Sequence, residues 1–303
     1  MIDPAQLSYY DRRTGELKRD PIYAHGLLDW LYNSAPGWFL TETLLSRSWL
    51  SCLYGWLNKQ RWSRRKIKPF ARVLAIDLEA LSRPLEAFAS FNDFITREID
   101  LSKRPIHGDP AVCVAPVDGR VLVYPAIDAG QCFTIKRANF SLGGLLHDDE
   151  LARAFSGGAL LVSRLYLNDY HHFHFPDGGV AGAAVSIPGK YFAVSPYPQQ
   201  RLVPFYSENH RMLTLFDSDH FGQVAMIEVG AFTIGSIQQR YQPGTRVRKG
   251  DHKGFFELGG SIVVLIFRKD AIRFDADLCN NSLSGIETYV RLGESVGRAR
   301  LSS

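Results

Sequence analysis

The sequence predicts an α+β protein, with N-terminal amphipathic helices leading into a β-rich, sandwich- or barrel-like domain. Two observations carry this. From about Tyr23 to Leu101, apolar residues such as Leu27, Leu28, Leu31, Leu40, Leu44 and Leu45 recur at three- and four-residue intervals, with Pro36-Gly37 as a break. That spacing lines one face of a helix. From Val112 onward the pattern changes to short apolar or alternating runs, including Val121-Leu122-Val123-Tyr124, Leu160-Leu161-Val162-Ser163 and Val224-Ala225-Met226-Ile227, separated by Gly, Pro, Asn and Asp. The expected organisation is a helical, membrane-associating region over residues 1–105 and a β-rich domain over residues 106–303.

A chain of 303 residues with 46% hydrophobic and 22% charged content is long enough to bury a sizeable core. At its start, Met1 to Tyr10 shows no basic segment followed by an apolar one, and no later stretch approaches about 18 uninterrupted apolar residues. Neither a cleaved signal nor a transmembrane helix is expected. The four cysteines, Cys52, Cys113, Cys132 and Cys279, lack CxxC spacing, so they suggest neither a zinc site nor a disulfide framework.

Within the helical region, Trp30, Tyr32, Trp38, Trp49, Tyr54, Trp56 and Trp62 are followed closely by Lys59, Arg61, Arg64, Arg65, Lys66, Lys68 and Arg72. Half-polar aromatics beside a basic cluster suit a helix lying in a membrane interface. The plainer alternative is that the aromatics form the helices' own core and the basic run is a solvated face.

Three segments of the β-rich part carry reactive side chains. In Ala115-Pro116-Val117-Asp118-Gly119-Arg120-Val121, Asp118-Gly119 reads either as a turn or as a carboxylate able to orient a histidine. In Asn168-Asp169-Tyr170-His171-His172-Phe173-His174-Phe175-Pro176, a strand would put His172 and His174 on one face, whereas one helical turn would put His171 and His174 together. Asn168-Asp169 resembles a helix start, so the turn is favoured. No ligand spacing supports a metal there. Finally, Phe255 to Phe267 places Gly259-Gly260-Ser261 at the mouth of an apolar run. Spacing alone favours a buried strand entered through a glycine turn. The alternative is chemical: the Ser261 hydroxyl could attack the Gly260 carbonyl, given a base and a carboxylate to orient it.

Taken in order, Pro116-Val117-Asp118-Gly119, Asp169-Tyr170-His171-His172-Phe173-His174, Val229-Gly230-Ala231-Phe232-Thr233-Ile234-Gly235-Ser236-Ile237 and Phe256-Glu257-Leu258-Gly259-Gly260-Ser261 resemble the phosphatidylserine decarboxylase family. Tyr9-Tyr10-Asp11-Arg12-Arg13-Thr14-Gly15 and Phe91-Asn92-Asp93-Phe94-Ile95-Thr96-Arg97, followed by Arg104-Pro105-Ile106, are similar to its bacterial branch with a Gly-Gly-Ser cleavage site. The resemblance covers nearly the whole chain.

It implies self-cleavage between Gly260 and Ser261 into a β chain (1–260) and an α chain (261–303), with Ser261 becoming a covalent pyruvoyl cofactor. His174 would be the base for processing, Asp118 its orienter, and His171 a proton donor or substrate-positioning group in decarboxylation. No role falls to His172. The implied reaction is decarboxylation of phosphatidylserine to phosphatidylethanolamine through a Schiff base, the electron-sink chemistry that pyridoxal phosphate supplies elsewhere. An anionic phospholipid membrane is the implied partner, on the cytoplasmic face of the cell membrane and without a spanning helix. A homodimer is a further implied state. Two positions depart from the family pattern: Ile262 stands where Thr is usual, and Ser195 where Asn is common. Two rival readings remain, a pyruvoyl decarboxylase of a soluble amino acid such as tryptophan, and a non-catalytic membrane-binding β domain. The second draws on Gly244-Thr245-Arg246-Val247-Arg248-Lys249-Gly250-Asp251, which resembles the glycine turn of biotinyl-type sandwiches.

Overall fold

A computed structural model of the chain describes residues 8–20, 25–45, 48–128, 132–135, 138–192, 205–230, 237–257 and 261–300. The N-terminal part supplies β1 (Ser8–Asp11), β2 (Glu16–Arg19), α1 (His25–Asn33), α2 (Ala35–Leu40), α3 (Ser48–Lys59), α4 (Ile67–Val73) and α5 (Phe91–Ile95). Next come β3 (Val112–Val114), β4 (Gly119–Tyr124), β5 (Cys132–Ile135), β6 (Ala138–Ser141), α6 (Leu142–Leu146), α7 (Asp149–Ala154), β7 (Ala159–Leu165), β8 (His172–His174), β9 (Gly179–Ala181) and β10 (Val185–Ile187). The remaining strands are β11 (Arg211–Ser218), β12 (Gly222–Val229), β13 (Ile237–Gln239), β14 (Arg246–Val247), β15 (His252–Phe256), β16 (Ser261–Phe267), β17 (Ile272–Phe274), β18 (Glu287–Val290) and β19 (Ser295–Ala299).

The apolar run after Ser261 becomes a strand at the middle of the largest sheet, whose order is β14-β9-β11-β12-β16-β7-β4-β18-β1-β2 with β10 on β11. β16 is antiparallel to both β12 and β7. All seven of its residues are buried because the sheet is covered on both faces. Leu122, Val162, Val264 and Ile266 join one apolar cluster, which holds Phe173 and Phe256; Val121, Val123, Leu161 and Leu265 join the other, which holds Phe175 and Phe216. A strand buried on both sides reads as a continuous apolar run rather than an alternating one. The smaller sheet β13-β15-β8 carries the histidines, and β17-β19-β3 forms a third. Among the described residues no sheet closes into a barrel, and the architecture is α+β as expected.

The N-terminal strands β1 and β2 extend the main sheet, with β1 parallel to β18. Behind them the helices divide their apolar residues. Leu31 and Tyr32 are buried, as are Ile67 and Phe70, and Trp38 stacks on Phe192 with ring centroids 6.0 Å apart. By contrast Leu27, Trp30, Phe39, Leu53, Tyr54, Trp56 and Trp62 are exposed. The Trp49 side chain lies outside the described residues. Some aromatics of this region are therefore core and others are presented outward. Among the described residues no helix is long and apolar enough to cross a membrane.

Candidate active site

The histidine segment folds as a strand, not as the helical turn suggested by Asn168-Asp169. β8 pairs with β15, setting His174 opposite His252 and His172 opposite Phe255. The reason is tertiary: the Asp169 carboxylate, which in a helix start would cap its own backbone, accepts instead from Tyr166 N at 2.5 Å and from the Arg120 guanidinium. His172 and His174 consequently share a face, and His171 lies just before the strand. A fourth histidine, His252, completes the cluster, with its ring centroid 4.9 Å from His172 and 5.2 Å from His174. No signal of spacing marked it, since it comes from β15, far along the chain. Among the described residues no group of side chains could hold a metal ion.

Each imidazole's partners fix where its proton sits. His174 Nδ1 lies 2.9 Å from the Gly250 carbonyl, which can only accept, so Nδ1 carries the hydrogen and Nε2 carries the lone pair. That Nε2 is buried without a hydrogen-bond partner among the described residues. Burial pushes the His174 pKa down to about 4, so the ring is neutral at physiological pH. An unprotonated, desolvated nitrogen is what a general base requires. His172 is fixed the other way round. Its Nε2 donates to the Thr96 carbonyl at 3.1 Å, leaving Nδ1 to accept from His252 Nε2 at 2.9 Å. Burial lowers its pKa to about 3. This ring is a structural member of a stack with Tyr170, 4.6 Å away and nearly parallel. His171 is fully buried, with Nδ1 2.9 Å from the Asp169 carbonyl.

Asp118 does not hydrogen-bond His174 as the expected orienter. Its carboxylate is held by Arg104, through Nε at 3.0 Å and Nη2 at 2.7 Å, and by the Leu292 amide at 2.8 Å. It still lies close enough to favour the charged imidazole through its field. The two residues are tied by the backbone, because His174 N donates to the Pro116 carbonyl at 2.8 Å. The direct partner of His174 is a main-chain carbonyl, which no side-chain pattern could reveal.

Gly250 supplies that carbonyl because its backbone sits at φ +82°, where a residue with a Cβ is strained. A Cβ there would also meet Ile106 Cγ1 at 2.7 Å. Lys249 anchors the same turn, its ammonium donating to the carbonyls of Asp109, Pro110 and Val112 at 2.7, 3.0 and 2.6 Å. The segment that resembles a biotinyl-type turn is thus the support of His174. Gly250→Ala should leave a folded protein in which His174 loses its fixed tautomer. Any step that depends on Nε2 as base should slow at least about tenfold, read from a time course on newly synthesised chain.

Ser261 opens β16 opposite Leu165 of β7, fully buried, and its Oγ has no hydrogen-bond partner among the described residues. A buried hydroxyl left unpaired costs about 1–3 kcal/mol, which fold stability alone does not explain. Gly260, on the other side of the expected scissile bond, lies outside the described residues, as does Ser195. Ile262 is fully buried between Val229 of β12 and Arg164 of β7. Its side chain belongs to the apolar core. The approach to Ser261 is tethered at two points. Phe256 N donates to the His171 carbonyl at 2.9 Å, and Glu257 pairs with Lys59 of α3 at 2.8 Å.

A buried ionic network backs the site. Arg120 and Arg164, facing each other across β4 and β7, share Asp20 at 2.6 and 3.1 Å; Arg164 also holds Glu287 at 2.5 Å, and Arg120 holds Asp169. Desolvation raises the Asp169 pKa to about 6 despite its guanidinium neighbour. These charges were silent in the sequence because their partners lie up to 144 positions apart.

Comparison with known proteins supplies the decisive observation. The sequence pattern of the phosphatidylserine decarboxylase family matches residues 91–298, more than half of the chain. The chain belongs to the phosphatidylserine decarboxylase family. Its relatives include proteins named phosphatidylserine decarboxylase proenzyme. One from Chlamydia felis is 41% identical over 294 residues, covering 97% of this chain and 98% of that protein. Another from Chlamydia trachomatis serovar L2 is 40% identical over 298 residues, covering 98% and 99%. A third from Chlamydia muridarum is 39% identical over 302 residues and covers 100% of both. The chain is thus of decarboxylase type, and similar to proteins made as proenzymes.

Proposed function

We propose that this chain is a phosphatidylserine decarboxylase that makes its own pyruvoyl group from Ser261 and converts phosphatidylserine to phosphatidylethanolamine and CO2. The observation that carries the proposal is that two buried atoms, Ser261 Oγ and His174 Nε2, have no hydrogen-bond partner among the described residues, in a family whose related proteins are named proenzymes. One is a hydroxyl with a proton to give and the other a neutral nitrogen with a lone pair to receive it. These residues suit generation of a pyruvoyl group at position 261.

In the proposed maturation, His174 Nε2 takes the Ser261 Oγ proton as Oγ attacks the Gly260 carbonyl carbon and the peptide C–N bond breaks, giving an ester and a free amine at Ser261. Nε2 passes that proton to the amine and then takes the Ser261 Cα proton as the Cβ–Oγ bond breaks, releasing residues 1–260 with a C-terminal carboxylate. Water replaces the nitrogen of the resulting dehydroalanine, and ammonia leaves. The carbonyl so formed supplies an electron sink for the pair left behind as CO2 departs. His171, its Nδ1 hydrogen held by the Asp169 carbonyl, gives from Nε2, once that nitrogen is protonated, a proton at the carbon that has lost CO2. The α chain begins with β16, which is hydrogen-bonded to β12 on one side and β7 on the other, so the two chains stay associated after cleavage.

Substrate access is proposed through the exposed aromatic side chains of the N-terminal helices. Phe39 is 69% and Trp56 59% exposed, and the basic cluster adjoins them. Apolar surface beside lysines and arginines favours an anionic bilayer, with the protein peripheral to it. The test is turnover by the purified protein of carboxyl-labelled phosphatidylserine in mixed micelles. Release of labelled CO2 with formation of phosphatidylethanolamine supports the proposal. Release from free tryptophan instead, or liposome binding by an intact chain without turnover, would sink it.

A further inference from the structure

We propose that the small, partly open cavity lined by Arg97, Arg104, Asn168, Tyr170, Tyr289 and Arg291 is a binding site for a phosphate-class oxyanion. The cavity holds about 160 Å3 beside the Asp118 carboxylate. Among the described residues, two of its guanidinium groups hydrogen-bond no carboxylate. Arg97 is only 3% exposed, yet its hydrogen bonds go to main-chain carbonyls alone, those of Phe94, Asn168 and Asp169. Arg291 Nε is buried with no partner among the described residues. A buried cation without a counter-charge is costly, and a bound anion offsets that cost. Burial pulls the Arg97 pKa down to about 10 although the fields of Asp169 and Asp118 oppose the shift, so the charges present do not fully offset its burial.

The carboxylates lining the cavity do not meet this need. Asp118 is committed to Arg104 and to the Leu292 amide, and Asp169 to Arg120 and the Tyr166 amide. Asp77 is exposed and takes the Glu79 amide. Guanidinium forks match the oxygens of a phosphate group. The volume accepts such a group but not an acyl chain, so the ligand is a free ion or the polar end of a lipid. Asn168 Oδ1 is also buried without a partner among the described residues. It can accept from the hydroxyl of hydrogen phosphate, which a phosphodiester does not have. Tyr170 joins the cavity to the histidines, with its ring 5.9 Å from that of His174. An anion there would act on the surroundings of that base. Only the lipid-headgroup source rests on the decarboxylase reading; the site itself does not.

Calorimetric titration of full-length Ser261→Ala protein with inorganic phosphate, and separately with glycerophosphoserine, needs no turnover and so tests the site apart from the activity. Saturable one-site binding is expected, weakened at least tenfold by Arg291→Gln and less by Arg291→Lys. Tighter binding of phosphate identifies the free ion, and tighter binding of glycerophosphoserine the headgroup. Arg97→Lys provides a second variant should Arg291→Gln fail to fold. No saturable binding of either probe, or undiminished binding in the folded variants, overturns the proposal.

Discussion

Ser261→Ala is expected to yield a single 303-residue chain with no decarboxylase activity, folded at least as stably as the unprocessed wild type. Both halves of this result follow from the same atom. Ser261 Oγ is buried and unpartnered among the described residues, so its removal forfeits no described hydrogen bond and relieves a desolvated hydroxyl. A merely structural serine would behave in the opposite way, lowering stability while leaving the chain length and activity of the protein unchanged. Gel mobility together with a thermal melt of the variant separates the two cases.

His174→Gln should slow chain cleavage by about 10²-fold or more, the usual contribution of a positioned general base. The pH dependence sharpens this prediction. Because the folded His174 pKa is about 4, Nε2 remains an unprotonated base until the solution is strongly acidic. Wild-type cleavage should therefore stay level on the acid side of neutrality and fall with a midpoint near pH 4, whereas a solvated imidazole would fall near 6.5. The same shift has a sign for stability. The folded pKa lies below the ordinary imidazole value, so as pH drops the unfolded chain binds the proton first. Stability is complete above about pH 6.5 and declines toward pH 4, by on the order of 3 kcal/mol for His174 alone. His172, with its pKa near 3, adds a decline in the same direction. A cleavage midpoint at 6.5, or stability rising on acidification through this window, would contradict a buried neutral imidazole.

Much of the fold could be read where a residue's environment depends on its neighbours in sequence. The run Ser261 to Phe267 announced a strand buried on both faces, and the leucine spacing of residues 27–45 announced helices. Prediction failed where distant groups competed for the same atoms. Asn168-Asp169 has the chemistry of a helix start, but Arg120 claims the Asp169 carboxylate from across the sheet and the segment becomes a strand. Asp118 likewise has the chemistry of a histidine's orienter, yet Arg104, 14 positions away, takes its oxygens. The group that does hold His174 is the carbonyl of Gly250, common to every residue type and therefore without a signature of its own. The reactive side chains were legible because their chemistry is rare; what orients them was not, because a backbone carbonyl or a partner up to 174 residues distant leaves no local pattern.

The central claim, that the chain cuts itself before Ser261 and keeps the product as its cofactor, is tested most directly by the intact mass of purified wild-type protein under denaturing conditions. Two chains are expected, residues 1–260 with a free C-terminal carboxylate and residues 261–303 blocked at the N-terminus by a pyruvoyl group. A single unmodified 303-residue chain in a preparation that decarboxylates phosphatidylserine would contradict it.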